Sequence, residues 1–380
     1  MTDNLQKTWR ERWLGPLSVL MIVLVLLATL VPFNFFPPNR VSWLTDEKGI
    51  VFSQSGVVVS KAPLAEQRSD PGKGCSLEVL VRPASTEGVH TLLGISVANN
   101  PKQLLLRQWT DELLVSRDSR DARNKLKRMQ VDVDKAFQDG KLVLLTVVSG
   151  PEGTLVYTNG NLAEVASRLK MSSNDIDGRI VLGNSPEELE PWEGELHGLA
   201  IYSRELSMDE VQKHYRSWAD KQRLDAGELD GAAAAYMFSE GKGREIRNAV
   251  SGGPDLEIPK IFRIPQKPFL KSPVKEFDWS LNYLDDLLRN IAGFVPLGFL
   301  LCSYFALTKS RGQAILYATL CGGTLSFVIE VLQVYVPQRY SGVTDIITNT
   351  TGAAIGAVLA RPELLQKFMP RSWRRLQETE

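Results

Sequence analysis

Long blocks of this sequence carry no charged side chain, and they constrain the fold more than any other feature. The blocks lie between Arg12 and Arg40, between Arg289 and Lys309, between Arg311 and Arg339 with Glu330 as an interruption, and between Asp345 and Arg361. A helix crosses the hydrocarbon core of a bilayer with about 20 apolar residues, because its backbone hydrogen bonds close within the segment. The sequence therefore predicts an α-helical membrane domain with four transmembrane helices, at residues 17–36 and near residues 290–308, 313–335 and 342–360.

Basic residues beside these spans indicate the orientation, since Lys and Arg accumulate on the cytoplasmic side of a membrane. They occur in the tail 1–16, in the loop after the second span and in the tail 361–380, and comprise Lys7, Arg10, Arg12, Lys309, Arg311, Arg361, Lys367, Arg371, Arg374 and Arg375. We predict that both termini are cytoplasmic and that the segment between the first two spans is extracytoplasmic. The C-terminal tail is either a helix on anionic headgroups or a solvated basic tail.

Composition excludes several functional classes. The chain has 44 Lys and Arg against 44 Asp and Glu, so its zero net charge argues against a nucleic-acid binder. Three cysteines cannot form a disulfide framework, and the three histidines lack the spacing of a zinc site. We expect no bound metal and no cofactor.

The segment before the second span has the pattern of an all-β domain. Residues 75–81, 141–148 and 154–157 are rich in Leu and Val, and the last run leads into Asn159-Gly160, a strong signal for a tight hairpin. Ser207 and Glu210 form a capping box that opens a helix through about Trp218. We predict an extracytoplasmic antiparallel sandwich at residues 39–253, followed at residues 254–284 by a linker whose proline-rich first part, up to residue 273, includes an edge strand.

Two stretches of this segment resemble the concanavalin A-like, laminin-G-type jelly roll. They are Thr154-Leu-Val-Tyr157-Thr-Asn159-Gly160 and Ile201-Tyr202-Ser-Arg204-Glu-Leu206-Ser207-Met-Asp-Glu210. A run around Tyr236 is similar to the opening strand of that family, displaced here to the end. The acidic motif of glycosidases with this fold is absent. The resemblance implies a glycan or protein partner and leaves calcium on the sandwich domain open. Trp109 and Trp192 are either a platform for a sugar ring or packed core residues.

Polar residues inside the predicted spans are functional candidates, because they are costly to bury in a bilayer. At a rise of about 1.5 Å per residue along span three, Glu330 lies close to the outer membrane edge. The polar residues of the neighbouring spans and loops lie at the same edge. The candidate membrane site comprises Asn290, Pro296, Glu330, Gln333, Arg339, Asp345 and Asn349. Gly352 and Gly356 form a small-x-x-x-small pair that allows close helix packing.

The C-terminal motifs resemble the VanZ-like membrane proteins. They are Asn290-Ile-Ala-Gly-Phe294-Val-Pro296-Leu-Gly298, Glu330-Val-Leu-Gln333 with Arg339, and Asp345-Ile-Ile-Thr-Asn349-Thr-Thr-Gly352. The resemblance covers residues 285–360 and makes the sandwich an insertion after the first span. It implies a location in the bacterial inner (cytoplasmic) membrane and a link to glycopeptide resistance. It does not imply any particular chemical reaction.

Two classes of function remain open. In the first, the protein is a non-enzymatic envelope protein whose outer domain binds a glycan or partner and whose membrane domain, in contact with membrane lipids, alters access to a cell-wall precursor or lipid-linked ligand. In the second, it is an enzyme in which Glu330, Arg339 and Asp345 act on a lipid or cell-wall precursor headgroup. The same residues can also form a network that only holds the helices together.

Overall fold

A computed structural model describes residues 2–64, 73–120 and 126–361. The chain forms two compact units. The membrane unit consists of Met1–Phe35 and Pro268–Glu380, and the sandwich unit of Phe36–Lys267. Residues 362–380 of the predicted C-terminal tail lie outside the described residues, and with them four of its basic residues, Lys367, Arg371, Arg374 and Arg375.

The six helices of the described chain divide between the two units, with α2 in the sandwich unit. They are α1 (Thr2–Leu30), α2 (Met208–Lys221), α3 (Pro273–Glu276), α4 (Leu281–Phe305), α5 (Arg311–Gln333) and α6 (Val343–Leu359). Three of them, α1 from Arg12 onward, α4 and α5, are long and apolar enough to cross a membrane. Helix α6 is also apolar but shorter, with 17 residues.

Local sequence signals explain where these helices begin and end. The hydroxyl of Ser280 accepts a hydrogen bond from the amide of Tyr283 at 3.2 Å and caps α4. Ser310 opens α5 with a capping box. Helix α1 ends at Leu30 rather than at the predicted residue 36, because Pro32 lacks an amide donor and disfavours a helical conformation in the residue before it.

Glycines bring α6 against the backbone of α4. An ideal Cβ at Gly352 would lie 2.2 Å from the carbonyl oxygen of Ile291, and one at Gly356 would lie 2.0 Å from that of Val295. From the opposite side, a Cβ at Gly298 would lie 1.9 Å from the carbonyl oxygen of Ala353. These separations are far below van der Waals contact, so only glycine permits this packing.

The sandwich unit contains two antiparallel sheets. The strands are β1 (Val41–Trp43), β2 (Ile50–Phe52), β3 (Val58–Ser60), β4 (Cys75–Pro83), β5 (Val89–Val97), β6 (Asn100–Trp109), β7 (Glu112–Arg120), β8 (Leu126–Val133), β9 (Val143–Gly150), β10 (Gly153–Thr158), β11 (Asn161–Ala166), β12 (Arg179–Leu182), β13 (Gly194–Tyr202), β14 (Ala232–Tyr236), β15 (Glu245–Ile246) and β16 (Leu256–Glu257). One sheet has the order β1-β2-β13-β4-β9-β10-β11, with β14 also paired to β13. The other has the order β15-β16-β3-β12-β5-β6-β7-β8. This architecture confirms the predicted jelly-roll class.

Two local predictions in this unit are confirmed. Asn159 and Gly160 have φ angles of 51° and 74° and join β10 to β11 in a tight hairpin. The side chain of Ser207 accepts from the amide of Glu210, and the Glu210 carboxylate accepts from the Ser207 amide, so the capping box opens α2. Both features depend on a few neighbouring residues, which explains why the sequence predicts them well.

The displaced strand completes the sheet, and the unit extends beyond its predicted end at residue 253. Strand β14 pairs with β13, and Tyr236 is fully buried in the core between the sheets. Strand β16 lies in the stretch for which an edge strand plus a linker is predicted, and the ring of Phe262 in the same stretch is buried. The two ends of the unit are paired, because the amide of Asn39 donates to Lys260 at 3.1 Å and the amide of Phe262 donates to Pro37 at 2.9 Å.

Candidate functional site

A cavity of about 790 Å³ lies in the membrane unit between α1, α4, the α5–α6 turn and α6. The sequence-predicted residues that line it are Asn290, Gln333, Arg339, Asp345 and Asn349. Met21, Leu24, Val25 and Ala28 of α1 form an apolar wall. The cavity is therefore polar on one side and apolar on another.

Amide and carboxylate groups cross-link the helices around this cavity. The Nδ2 of Asn290 on α4 donates to Oδ1 of Asp345 on α6 at 2.8 Å. The Nδ2 of Asn349 donates to Oγ of Ser326 on α5 at 3.0 Å. The Oδ1 of Asn349 is buried and has no hydrogen-bond partner among the described protein atoms.

Glu330 lies beside the start of α6 and does not line the cavity. It is 1% exposed, and its Oε2 accepts a hydrogen bond from the amide of Gly342 at 2.8 Å. A carboxylate at a helix N-terminus satisfies an unpaired amide and interacts favourably with the helix dipole. The ion pairs of the described residues include none between Glu330 and Arg339, so the structure does not join these two candidate residues directly.

Arg339 is the cation of the cavity without a carboxylate partner among the described residues. Arg289, the other lining arginine, pairs with Asp285 at 2.7 Å. Asp345 shares the cavity with Arg339, but its Oδ1 is held by an amide from α4. Pro296 lies within α4 on an exposed face and is not part of the lining, so the structure does not bring it into this site.

The tryptophans proposed as a sugar platform differ in their surroundings. Trp192 is fully buried, packs edge-on against Phe52 and donates from Nε1 to Oε1 of Gln108 at 2.8 Å. Its ring faces are inaccessible, so the platform hypothesis is wrong for Trp192. Trp109, at the end of β6, is 49% exposed and stays a candidate.

One group in the described chain brings three metal-ligand atoms together in the sandwich unit, at Glu47, Glu195 and His197. Arg82 already bonds Glu195 at 2.5 Å and Glu47 at 3.4 Å. The two ring nitrogens of His197 contact the carbonyl of Lys48 at 2.8 Å and Glu195 at 3.0 Å. A guanidinium occupies the position of a cation, so these residues do not fit a calcium or zinc site.

Sequence reasoning missed a buried polar network between α2 and the sheet. Glu78 on β4 is fully buried and contacts Nδ1 of His214 at 3.0 Å and Nε1 of Trp218 at 3.1 Å. The hydroxyl of Tyr202 lies 3.4 Å from the same carboxylate, and burial raises the pKa of this hydroxyl. The signal was a lone Glu within an apolar strand, since such a residue requires partners. The network has no opening to solvent and fixes α2 on the sheet.

These features define a membrane-spanning protein with a β-sandwich inserted after its first long helix. The VanZ/LLP1 family matches residues 237–366, and the concanavalin A-like lectin/glucanases superfamily matches residues 57–212. The chain thus contains a VanZ-like domain with a concanavalin A-like domain in front of it, as the motifs indicated. A comparison with curated proteins gives no match.

Several solved structures are similar to part of the chain. A Bacteroides ovatus protein described as a candidate carbohydrate-binding protein is 14% identical with a TM-score of 0.40, and the match covers 57% of this chain and 59% of that protein. A pentraxin from Limulus polyphemus is 15% identical with a TM-score of 0.31, covering 47% and 78% of the two chains. The botulinum neurotoxin serotype D binding domain is 15% identical with a TM-score of 0.36, covering 53% and 49%.

Proposed function

We propose that this protein is a non-enzymatic binding protein of the bacterial cell envelope whose membrane unit binds an amphiphile with an anionic headgroup. The observation that carries the proposal is the cavity with Arg339 on its polar side. A guanidinium without a carboxylate partner is a strong recognition group for phosphate or carboxylate, to which it donates two parallel hydrogen bonds.

The other walls suit the apolar part of such a ligand. Met21, Leu24 and Val25 line the cavity from α1, which is long and apolar enough to lie in the bilayer. The volume of about 790 Å³ falls within the usual range of small-molecule sites, about 300 to 1,000 Å³. A lipid can therefore place its headgroup near Arg339 and its first chain segments against α1.

The contacts favour binding over the enzymatic alternative. Catalysis on a headgroup requires a base or nucleophile free to reach the reacting atoms. Glu330 is held by the Gly342 amide outside the cavity, and Asp345 accepts a hydrogen bond from Asn290. No specific observation favours a reaction, so binding is the function that we propose.

The sandwich unit supplies the second part of the proposal, an extracytoplasmic domain that binds a glycan or another envelope protein. Its match to a lectin/glucanase superfamily supports this role. The membrane unit would bind a lipid-linked cell-wall precursor and the sandwich unit a glycan or protein of the envelope, and the protein would thereby influence glycopeptide sensitivity. The exposed ring of Trp109 is the sugar-stacking candidate to substitute first.

The proposed topology has both termini in the cytoplasm and the sandwich outside. A cysteine placed at Gly140, in a sandwich loop, should react with a membrane-impermeant maleimide added to intact spheroplasts. One at Ser310, in the α4–α5 turn, should react only after lysis. The reverse pattern would overturn this topology.

The lipid site is tested with the purified full-length protein in detergent, by native mass spectrometry with phosphatidylglycerol and phosphatidylethanolamine. We expect the wild type to prefer the anionic lipid and Arg339→Gln to lose that preference by about tenfold or more, as a charge-assisted hydrogen bond contributes about 1.5 to 3 kcal/mol. Arg311→Gln, at the opposite end of α5, is the matched control and should retain it. A preference that is absent, or that survives Arg339→Gln, contradicts the proposal.

A further inference from the structure

The stretch from Phe269 to Leu281, termed the interfacial segment, exposes an unusual amount of apolar surface. Val274 is 89% exposed, Trp279 is 91% exposed and Leu281 is 84% exposed. Phe277 is half exposed and contacts the Trp279 ring edge-on at 4.9 Å between centroids. Contiguous apolar surface of this kind marks a contact with a protein or a membrane.

This segment is held at the same end of the membrane unit as the cavity. The amide of Lys271 donates to the carbonyl of Ser341 at 3.0 Å, and the amide of Val343 donates to the carbonyl of Lys271 at 3.0 Å. The carboxylate of Glu276 accepts from both the amide and the hydroxyl of Thr344 in the first turn of α6. The interfacial segment is therefore fixed against the beginning of α6.

Exposed aromatic side chains at both ends of the helices indicate the depth of this segment. Trp13, Tyr304 and Tyr317 are exposed at the end opposite the cavity. Tyr335, just beyond α5, is exposed at the cavity end, beside the segment's own Trp279. Tyr317 and Tyr335 are separated by about 27 Å at a rise of 1.5 Å per residue, close to the hydrocarbon thickness of about 30 Å. Aromatic rings concentrate at the two membrane–water interfaces.

We propose that the interfacial segment lies in the lipid headgroup layer at the cavity end and that its occupant is the membrane surface. The segment leads directly into α4, so its apolar face is continuous with the lipid-facing surface of a span. Its charges balance, with Lys271 and Lys275 against Glu276 and Asp278, so the segment has no net attraction to an anionic surface. Apolar and aromatic insertion therefore drives the contact, and this contact does not require the cavity to bind a ligand.

The test uses tryptophan fluorescence of the full-length protein in phosphatidylcholine vesicles with bromine on the acyl chain close to the headgroup. Trp279→Phe should remove a component that the brominated lipid quenches and that aqueous iodide leaves unquenched. Trp109→Phe removes an exposed tryptophan of the sandwich unit and is the matched control. It should remove a component that iodide quenches and the brominated lipid does not. Both side chains are largely exposed, so neither substitution endangers folding.

Each other outcome at Trp279 overturns the proposal in a recognisable way. Quenching by iodide means that the ring faces water. Protection from both quenchers means that protein covers it, either a second copy or another part of the chain. Stronger quenching by bromine near the chain ends than near the headgroup places the ring in the hydrocarbon interior instead of the interface.

Discussion

Replacing Glu78 by Leu tests whether the buried network fixes α2 on the sheet. The carboxylate accepts hydrogen bonds from the Nε1 of Trp218 and from His214, both on the inner face of α2. Leucine keeps most of the volume but removes both acceptors. The hydroxyl of Tyr202 is less affected, because it also donates to the carbonyl of Glu228 at 3.1 Å.

The expected loss of stability follows from the donors left without a partner. A buried polar group that loses its hydrogen bond costs about 1 to 3 kcal/mol, and two groups are affected. Removal of the buried carboxylate offsets part of this cost. We expect Glu78→Leu to lower the free energy of unfolding by about 2 to 4 kcal/mol. Glu78→Gln should cost about 1 kcal/mol, since its amide oxygen can still accept from Trp218.

Equilibrium urea unfolding of the isolated sandwich unit, followed by far-ultraviolet circular dichroism, measures both variants. The control is Glu164→Leu on β11, where the side chain is exposed and a change within about 0.5 kcal/mol is expected. If Glu78→Leu destabilises no more than the control, the network does not fix α2. A loss for Glu78→Gln as large as that for Glu78→Leu would instead assign the effect to the negative charge.

Three further predictions concern the boundary, the acid sensitivity and the helix packing. The sandwich unit should give one cooperative unfolding transition, whereas a fragment of residues 39–218 should be far less stable, because it lacks β14 and the buried ring of Tyr236. The Arg204 guanidinium lowers the pKa of Glu210 from 4.5 to about 2, so the pair stabilises fully above pH 4.5 and loses this contribution as the pH falls toward 2. The difference in urea midpoint between wild type and Arg204→Gln should accordingly shrink with acidification, and a constant difference would contradict the pairing. Gly352→Ala should lower the melting temperature of the full chain in detergent, because its methyl group meets the α4 backbone; unchanged melting would show that the helices can separate without cost.

The structural features that the sequence predicted best are those determined by residues close to one another in the chain. The hairpin at Asn159 and the capping box at Ser207 depend on local backbone geometry and short side-chain contacts. The charge-free blocks predicted the apolar helices because a run of apolar residues along the chain is enough for a helix to enter a bilayer. The end of α1 shows the limit of this reasoning, because hydropathy continues past Leu30 while the prolines stop the helix.

The sequence did not predict which side chains from different helices and strands would contact one another. Glu330 and Arg339 have opposite charge and are close in sequence. The Glu330 carboxylate nevertheless accepts a hydrogen bond from the amide of Gly342, just before α6, whereas Arg339 lines the cavity. Trp192 follows an acidic loop that looks solvated, but its ring fills the core between the sheets. Each outcome depends on which elements pack together, and one-dimensional patterns do not specify that.

The first and last segments of the sandwich unit are paired, so the unit is a domain inserted into the chain at one place. Asn39 and Lys260, a few residues from the two ends of the unit, are hydrogen-bonded neighbours, so the first and last stretches of the unit lie side by side. A loop between two helices can accept a domain of this kind without stretching, whatever the size of the inserted fold. The same position in the chain could hold a different domain, or none, so the binding specificity of the inserted unit can change by exchange of one segment while the helices around the cavity keep their sequence.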